Sequence, residues 1–107
     1  MDEHDMSSIL DEITRRIREV SDPKQIILLG SRARGDFEPD SDLDLLVVKD
    51  NIESTRAEAG RIYHALRNIP VPVDIVVVRP AYVARYKDIV GTIVRPALHE
   101  GKVLYAR

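Results

Sequence analysis

The stretch SDLDLLVV, from Ser41 to Val48, decides the fold of this chain and holds its most informative residues. It predicts a strand over 42–48 that is apolar except for Asp42 and Asp44. Because side chains two positions apart on a strand point to the same face, we expect the two carboxylates side by side at the edge of a core. Left alone they would repel, and one would take up a proton. Hard divalent cations such as Mg²⁺ prefer oxygen ligands, so the pair predicts a metal site.

A third acid, Asp74, interrupts the apolar run Val73 to Val78, which we predict to be another strand. An aspartate in such a run is costly unless it is paired or bound to a metal. Together with Asp42 and Asp44, it would give three carboxylates on adjacent strands, enough to hold two metal ions. Two ions can stabilise both the attacking and the leaving oxygen in phosphoryl or nucleotidyl transfer.

The turn after a first strand, Gln25 to Leu29, is typical of a phosphate site. Gly30 has no Cβ and lets the backbone approach a ligand, and Ser31 would cap a following helical turn whose free N–H groups attract anions. Arg32 and Arg34 add positive charge that reaches phosphate oxygens. The structural alternatives are an ordinary turn at Gly30 and Ser31, surface ion pairs for the arginines, a turn-capping role for Asp42 and an exposed strand start for Asp74.

The remaining patterns predict one α/β domain over residues 1–107, with a short mixed sheet packed by helices. All three strands are apolar on both faces apart from their aspartates, so both faces should be covered, if necessary by a second chain. We predict helices over 8–20, over 54–68 with Ala59, Ile62, Tyr63 and Leu66 facing inward, and over 80–100 with a break near Gly91 or Pro96, together with a short helical turn over 32–36 and an edge strand over 102–105.

Composition limits the functional classes. A hydrophobic share of 44% and a charged share of 32% indicate a packed domain rather than disorder. The net charge of −2 argues against broad nucleic-acid binding, although not against a nucleotide. With no cysteine, no long apolar run and an acidic N-terminus, we expect no disulfide, no membrane span and no signal peptide. We therefore expect a cytoplasmic location.

The combined motif resembles that of the DNA polymerase beta-like nucleotidyltransferase superfamily. Gly30 and Ser31, ten intervening residues, Asp42-x-Asp44 and then Asp74 in a later strand match its signature. The small size and the run GSRARG over 30–35 resemble its minimal nucleotidyltransferase branch. Members of that branch are typically encoded beside a helical HEPN-domain partner, and several such pairs are toxin–antitoxin modules.

The resemblance implies a role for each matching residue. Gly30 and Ser31 would bind the triphosphate of ATP or another nucleoside triphosphate. Asp42 and Asp44 would hold two Mg²⁺ ions, and Asp74 would hold the catalytic one and help to deprotonate the attacking hydroxyl. In the toxin–antitoxin relatives the acceptor is a tyrosine of the HEPN partner, which AMP transfer silences.

Two other functions stay open. The chain would instead be a binding module that neutralises a partner by contact, with weak or no catalysis. In either case a homo- or hetero-oligomer stays open. Alternatively, the acceptor would be a small molecule or an RNA end, as in larger relatives that carry an additional domain.

Overall fold

The computed structural model describes residues 3–29, 42–92 and 94–107, and for residues 3–5 the backbone alone. These residues form a four-stranded mixed sheet with helices on both faces. No helix among them is long and apolar enough to cross a bilayer. The elements in chain order are α1 (Glu3–Ser21), β1 (Gln25–Leu29), β2 (Leu43–Val48), α2 (Thr55–Ala65), β3 (Val73–Val78), α3 (Pro80–Tyr86), α4 (Val94–Glu100) and β4 (Lys102–Ala106).

The strands lie in the order β3-β2-β1-β4. Strand β1 is antiparallel to both of its neighbours, whereas β2 and β3 are parallel. A parallel pair needs a crossover connection, which α2 provides here. The start of β2, the start of β3 and the end of β1 therefore lie at the same end of the sheet.

Side-chain alternation divides the strands between two apolar layers. The larger layer, which we call the α1/α2 face, holds Leu43, Leu45 and Val47 of β2 against α1 and α2. On the opposite side, the α4 face, Leu46 and Val48 pack with neighbouring strands and α4. The other buried side chains of the α1/α2 layer are Met6, Ile13, Ile17, Ile26, Leu28, Ile62, Leu66, Ile75 and Val77, and those of the α4 layer are Ile27, Val78 and Ala97.

A buried polar contact fixes α2 against α1. Glu58 is only 4% exposed, and its carboxylate accepts a hydrogen bond of 2.6 Å from the Ser21 hydroxyl and one of 2.8 Å from Arg61. Arg61 also donates to the carbonyl of Val20 at 2.7 Å. Because these groups satisfy one another, the buried carboxylate holds the two helices in one relative position.

The predicted α/β class and mixed sheet are confirmed, and β1 and β3 have the predicted bounds. Strand β2 begins at Leu43, so Asp42 immediately precedes it. The predicted 80–100 region is broken near Gly91, whose φ of +94° suits glycine. Pro96 lies in the first turn of α4, where its missing N–H leaves no intrahelical bond unmade. Helix α4 covers part of the second face, so helices lie on both sides of the sheet.

Candidate active site

The three predicted acids come from neighbouring strand ends. Asp44 and Asp74 are direct partners in the parallel β2–β3 register. Leu43 and Leu45, which flank Asp44 on β2, point into the α1/α2 core, so Asp44 lies on the opposite side, the α4 face. Asp74, its partner in the ladder, lies on the same face. Asp42 stands two positions before Asp44. The structure thus places Asp44 and Asp74 side by side on one face, with Asp42 just before β2 at the same end of the sheet; Asp44 is half-buried and the other two are exposed.

The surroundings of Asp44 disfavour the charged form of its carboxyl. Burial raises the pKa of its carboxyl above the usual value of 3.8, and the negative charges of Asp74 and then Asp42 raise it further. These are the conditions expected where like charges share a partly desolvated site. A bound cation would relieve this repulsion.

The predicted phosphate-binding segment leaves and rejoins the sheet at the same place. Strand β1 ends at Leu29, directly opposite Asp44 in the antiparallel register, and the chain re-enters the described structure at Asp42. The intervening residues, Gly30, Ser31, Arg32 and Arg34 and the predicted helical turn over 32–36 among them, lie outside the described residues. Both ends of that segment therefore adjoin the carboxylates, and its contribution to nucleotide binding stays a prediction.

The metal role of the aspartates also stays a prediction. Within 3–29, 42–92 and 94–107, no group of three or more His, Cys, Asp or Glu side chains converges as a metal centre. The donor set itself fits a divalent cation, since carboxylate oxygens are hard ligands. Burial and the neighbouring charges of Asp74 and Asp42 raise the pKa of Asp44, and a cation held at this position would favour its charged form.

Sequence reasoning missed the position of one residue near the site, Tyr63. We expected its ring in the core, but the side chain is 43% exposed. Its hydroxyl oxygen accepts a hydrogen bond of 2.8 Å from the backbone N–H of Ile75, the residue that follows Asp74. The helical pattern could not separate Tyr63 from Ile62, which is fully buried, because both fit the i, i+3, i+4, i+7 spacing of one helix face.

Comparison with protein families assigns the class. The profile described as "Nucleotidyltransferase domain" matches residues 9–96, which span α1 to the first turn of α4. The chain belongs to this nucleotidyltransferase domain family. Membership supports nucleotidyl transfer as the class of activity, and the family generally uses a divalent metal.

Solved structures share the fold at low sequence identity. A toxin-antitoxin crystallised with AMP-PNP superposes with a TM-score of 0.62 at 22% identity, covering 92% of this chain and 73% of that one. A Sulfolobus solfataricus protein provisionally described as a nucleotidyltransferase gives 0.64 at 21% identity, covering 94% and 79%. A mutant of the toxin-antitoxin MntA-HpeT, with two aspartates two positions apart changed to glutamate, gives 0.60 at 19%, covering 92% and 73%. No curated protein matches the sequence significantly.

Proposed function

We propose that this chain is a Mg²⁺-dependent nucleotidyltransferase that transfers AMP from ATP to a hydroxyl group of a partner protein. The observation that carries the proposal is the lateral pairing of Asp44 with Asp74, with Asp42 two positions before Asp44, at the edge where β1 ends. A family match over residues 9–96 supports the reaction class independently of that geometry.

Each residue has a role in the proposed reaction. Asp42 and Asp44 would hold two ions and Asp74 one of them, and these would supply charge neutralisation for the triphosphate and the developing oxyanions. Asp74, exposed beside Asp44, accepts the proton of the acceptor hydroxyl. The hydroxyl oxygen forms a bond to the α-phosphorus, the bond from that phosphorus to the bridging oxygen breaks, and pyrophosphate leaves with the electron pair. Gly30, Ser31, Arg32 and Arg34 would grip the triphosphate.

The structural neighbours favour an adenine nucleotide and a protein acceptor. One is a toxin-antitoxin with AMP-PNP, an analogue of ATP, and another is a toxin-antitoxin mutant. The aspartates replaced in that mutant have the same two-residue spacing as Asp42 and Asp44. We therefore propose that the chain is the cytoplasmic antitoxin of a minimal nucleotidyltransferase pair, and that its acceptor is a tyrosine of a HEPN-domain toxin.

The test mixes the purified chain with ATP labelled at the α-phosphate, Mg²⁺ and the protein encoded beside it. We expect label on the partner, and an Asp42→Asn variant should lower the rate by about 100-fold or more. Asp11→Asn is the matched control, because Asp11 is exposed on α1 and far along the chain from the site. Label on a tyrosine, located by mass spectrometry, would identify the acceptor group.

Other outcomes distinguish the alternatives. A tight complex without label, and with equal affinity for the wild type and Asp42→Asn, would establish a non-catalytic antitoxin. Label that appears only on added RNA or on a small hydroxylated compound would replace the protein acceptor while retaining the nucleotidyltransferase. Equal labelling by the wild type and Asp42→Asn would overturn the assignment of the site.

A further inference from the structure

The hydrogen bond between Tyr63 and Ile75 lies at the outer edge of the sheet, next to the proposed site. Among the strands of the described residues, β3 has β2 on one side and none on the other. At this free edge, the side chain of Tyr63 reaches from α2 and accepts the N–H of Ile75 at 2.8 Å. The bond therefore connects the crossover helix to the residue immediately after Asp74.

The parallel register shows which backbone groups of β3 face its neighbour. Leu43 donates its N–H to the carbonyl of Pro72 at 2.9 Å, and Lys49 donates to that of Val78, also at 2.9 Å. In a parallel ladder such bonds recur at every second residue, so even-numbered residues of β3 direct their N–H and C=O groups toward β2. The carbonyl of Asp74 points toward β2, whereas the N–H of Ile75 points outward to Tyr63.

The peptide unit that joins Asp74 to Ile75 is consequently held from both sides. Its carbonyl faces the β2 ladder, and its N–H bonds to the tyrosine hydroxyl. Fixing this unit fixes the backbone direction at Asp74 and hence the direction of its Cβ. Without the hydroxyl, only one side of β3 would restrain the second residue of an edge strand, where strand ends ordinarily open most easily.

Tyr63 is well suited to this task because its helix is firmly anchored. Its neighbour Ile62 is fully buried in the α1/α2 layer, and Glu58, one turn earlier, is held by Ser21 and Arg61. A tyrosine on such a helix presents its hydroxyl at a fixed place with few rotatable bonds to order.

We propose that Tyr63 is a positioning residue that keeps Asp74 beside Asp44 through the N–H of Ile75. The inference rests on the proposed function, which makes Asp74 a metal ligand and proton acceptor, and it adds a residue outside the acidic motif. The rival role is protection of the free sheet edge alone, in which the hydroxyl would stabilise β3 without affecting the carboxylates.

The test compares Tyr63→Phe, which removes one oxygen, with Tyr82→Phe, whose hydroxyl makes no hydrogen bond within the described part of the chain. Three quantities are measured on the folded full chain: the exchange rate of the Ile75 amide by NMR, Mn²⁺ affinity by calorimetry, and AMP transfer against Mg²⁺ concentration. For Tyr63→Phe we expect amide exchange about tenfold faster and Mn²⁺ affinity lowered several-fold. Transfer should fall at low Mg²⁺ and recover at high Mg²⁺, while Tyr82→Phe resembles the wild type.

Faster Ile75 exchange with unchanged Mn²⁺ affinity and Mg²⁺ dependence would overturn the proposal, leaving Tyr63 an edge-protecting residue. The carboxyl carbon shift of Asp74 in metal-free protein separates this failure from that of the proposed function. If the wild type neither binds Mn²⁺ nor transfers AMP, the proposed function fails. A shift altered in Tyr63→Phe but not in Tyr82→Phe would even then establish the positioning, and an unaltered shift would overturn that as well.

Discussion

At the scale of single residues, Asp44 is the position where stability and chemistry oppose each other. Its carboxyl is half-buried, lies beside Asp74 in the ladder and follows Asp42 by two positions, and each of these features disfavours its charge. If stability alone determined the residue at this position, an apolar or neutral side chain would be expected. Residues that destabilise the free protein are characteristic of sites that acquire a ligand.

Replacing Asp44 with asparagine should therefore stabilise the metal-free protein while abolishing transfer. We expect the melting temperature in EDTA to rise by a few degrees, because the side chain keeps its size and loses its charge. The rise should grow with pH. The folded pKa of Asp44 lies above its unfolded value, so its contribution to stability is full below the unfolded pKa, about 3.9, and is lost as the pH rises through the folded one.

Thermal melts of both proteins between pH 3.5 and 8 check this expectation, with Asp11→Asn as the reference for a solvated aspartate. The curves for wild type and Asp44→Asn should approach each other in acid. A variant that is less stable than the wild type at neutral pH in EDTA would show that the carboxylate of Asp44 is favourably paired in the free protein.

At the scale of elements, the junction between α4 and β4 is packed directly on β1. A Cβ added to Gly101 would overlap the carbonyl oxygen of Ala97 and lie 2.6 Å from the Cγ2 of Ile27. Both contacts involve well-packed groups, since Ile27 is buried in the α4 layer. Glycine at this position is therefore required by space rather than by an unusual backbone angle.

Gly101→Ala should destabilise the fold by about 1–3 kcal/mol, because the methyl group has to displace packed backbone. Gly60→Ala provides the opposite control within the same protein. A Cβ at Gly60 meets nothing within 4 Å, and the residue lies in the interior of α2, so the substitution should stabilise by about 0.5–1 kcal/mol. Urea denaturation measures both. Equal effects of the two changes would contradict the packing described at the α4–β4 junction.

Sequence reasoning worked best for the strands whose apolar runs have clear flanking residues. Strands β1 and β3 were predicted with their observed ends because Lys24 and Gly30 flank the first run, and Pro72 and Arg79 flank the second. The pairing of Asp44 with Asp74 needed the crossover and its register, which no local pattern encodes. The position of Tyr63 was missed for a similar reason, since whether a ring enters the core or wraps around a sheet edge depends on where α2 packs.

At the scale of the whole molecule, the sheet joins distant parts of the chain. Strand β4 pairs with β1, and its side chain Tyr105 stacks under the guanidinium of Arg18 at 4.3 Å. Arg107 donates its backbone N–H to the carbonyl of Lys24 at 2.9 Å. The last strand, β4, therefore stabilises α1 and β1, which come first in the sequence.

Removing residues 102–107 should abolish cooperative unfolding. The deletion loses the β1–β4 ladder, in which four residue pairs are aligned and each hydrogen bond is worth about 1 kcal/mol, and it loses the Arg18–Tyr105 contact, against a total stability on the order of 5–15 kcal/mol. Circular dichroism during urea titration reports the loss. Val103→Lys serves as control, because Val103 is 53% exposed and the change should stay within about 0.5 kcal/mol. A truncated chain that still unfolds in one sharp transition would make β4 dispensable.

The hydrogen bond between Tyr63 and Ile75 also constrains the length of the segment that connects them. Twelve positions separate the two residues, and both the helix phase at one end and the strand register at the other are set. One residue inserted in 66–72 would have to be absorbed as a bulge in that segment. One residue removed from it would shift either the Tyr63 hydroxyl or Asp74 from its present position. The number of residues between α2 and β3 thus determines where Asp74 lies relative to the Tyr63 hydroxyl.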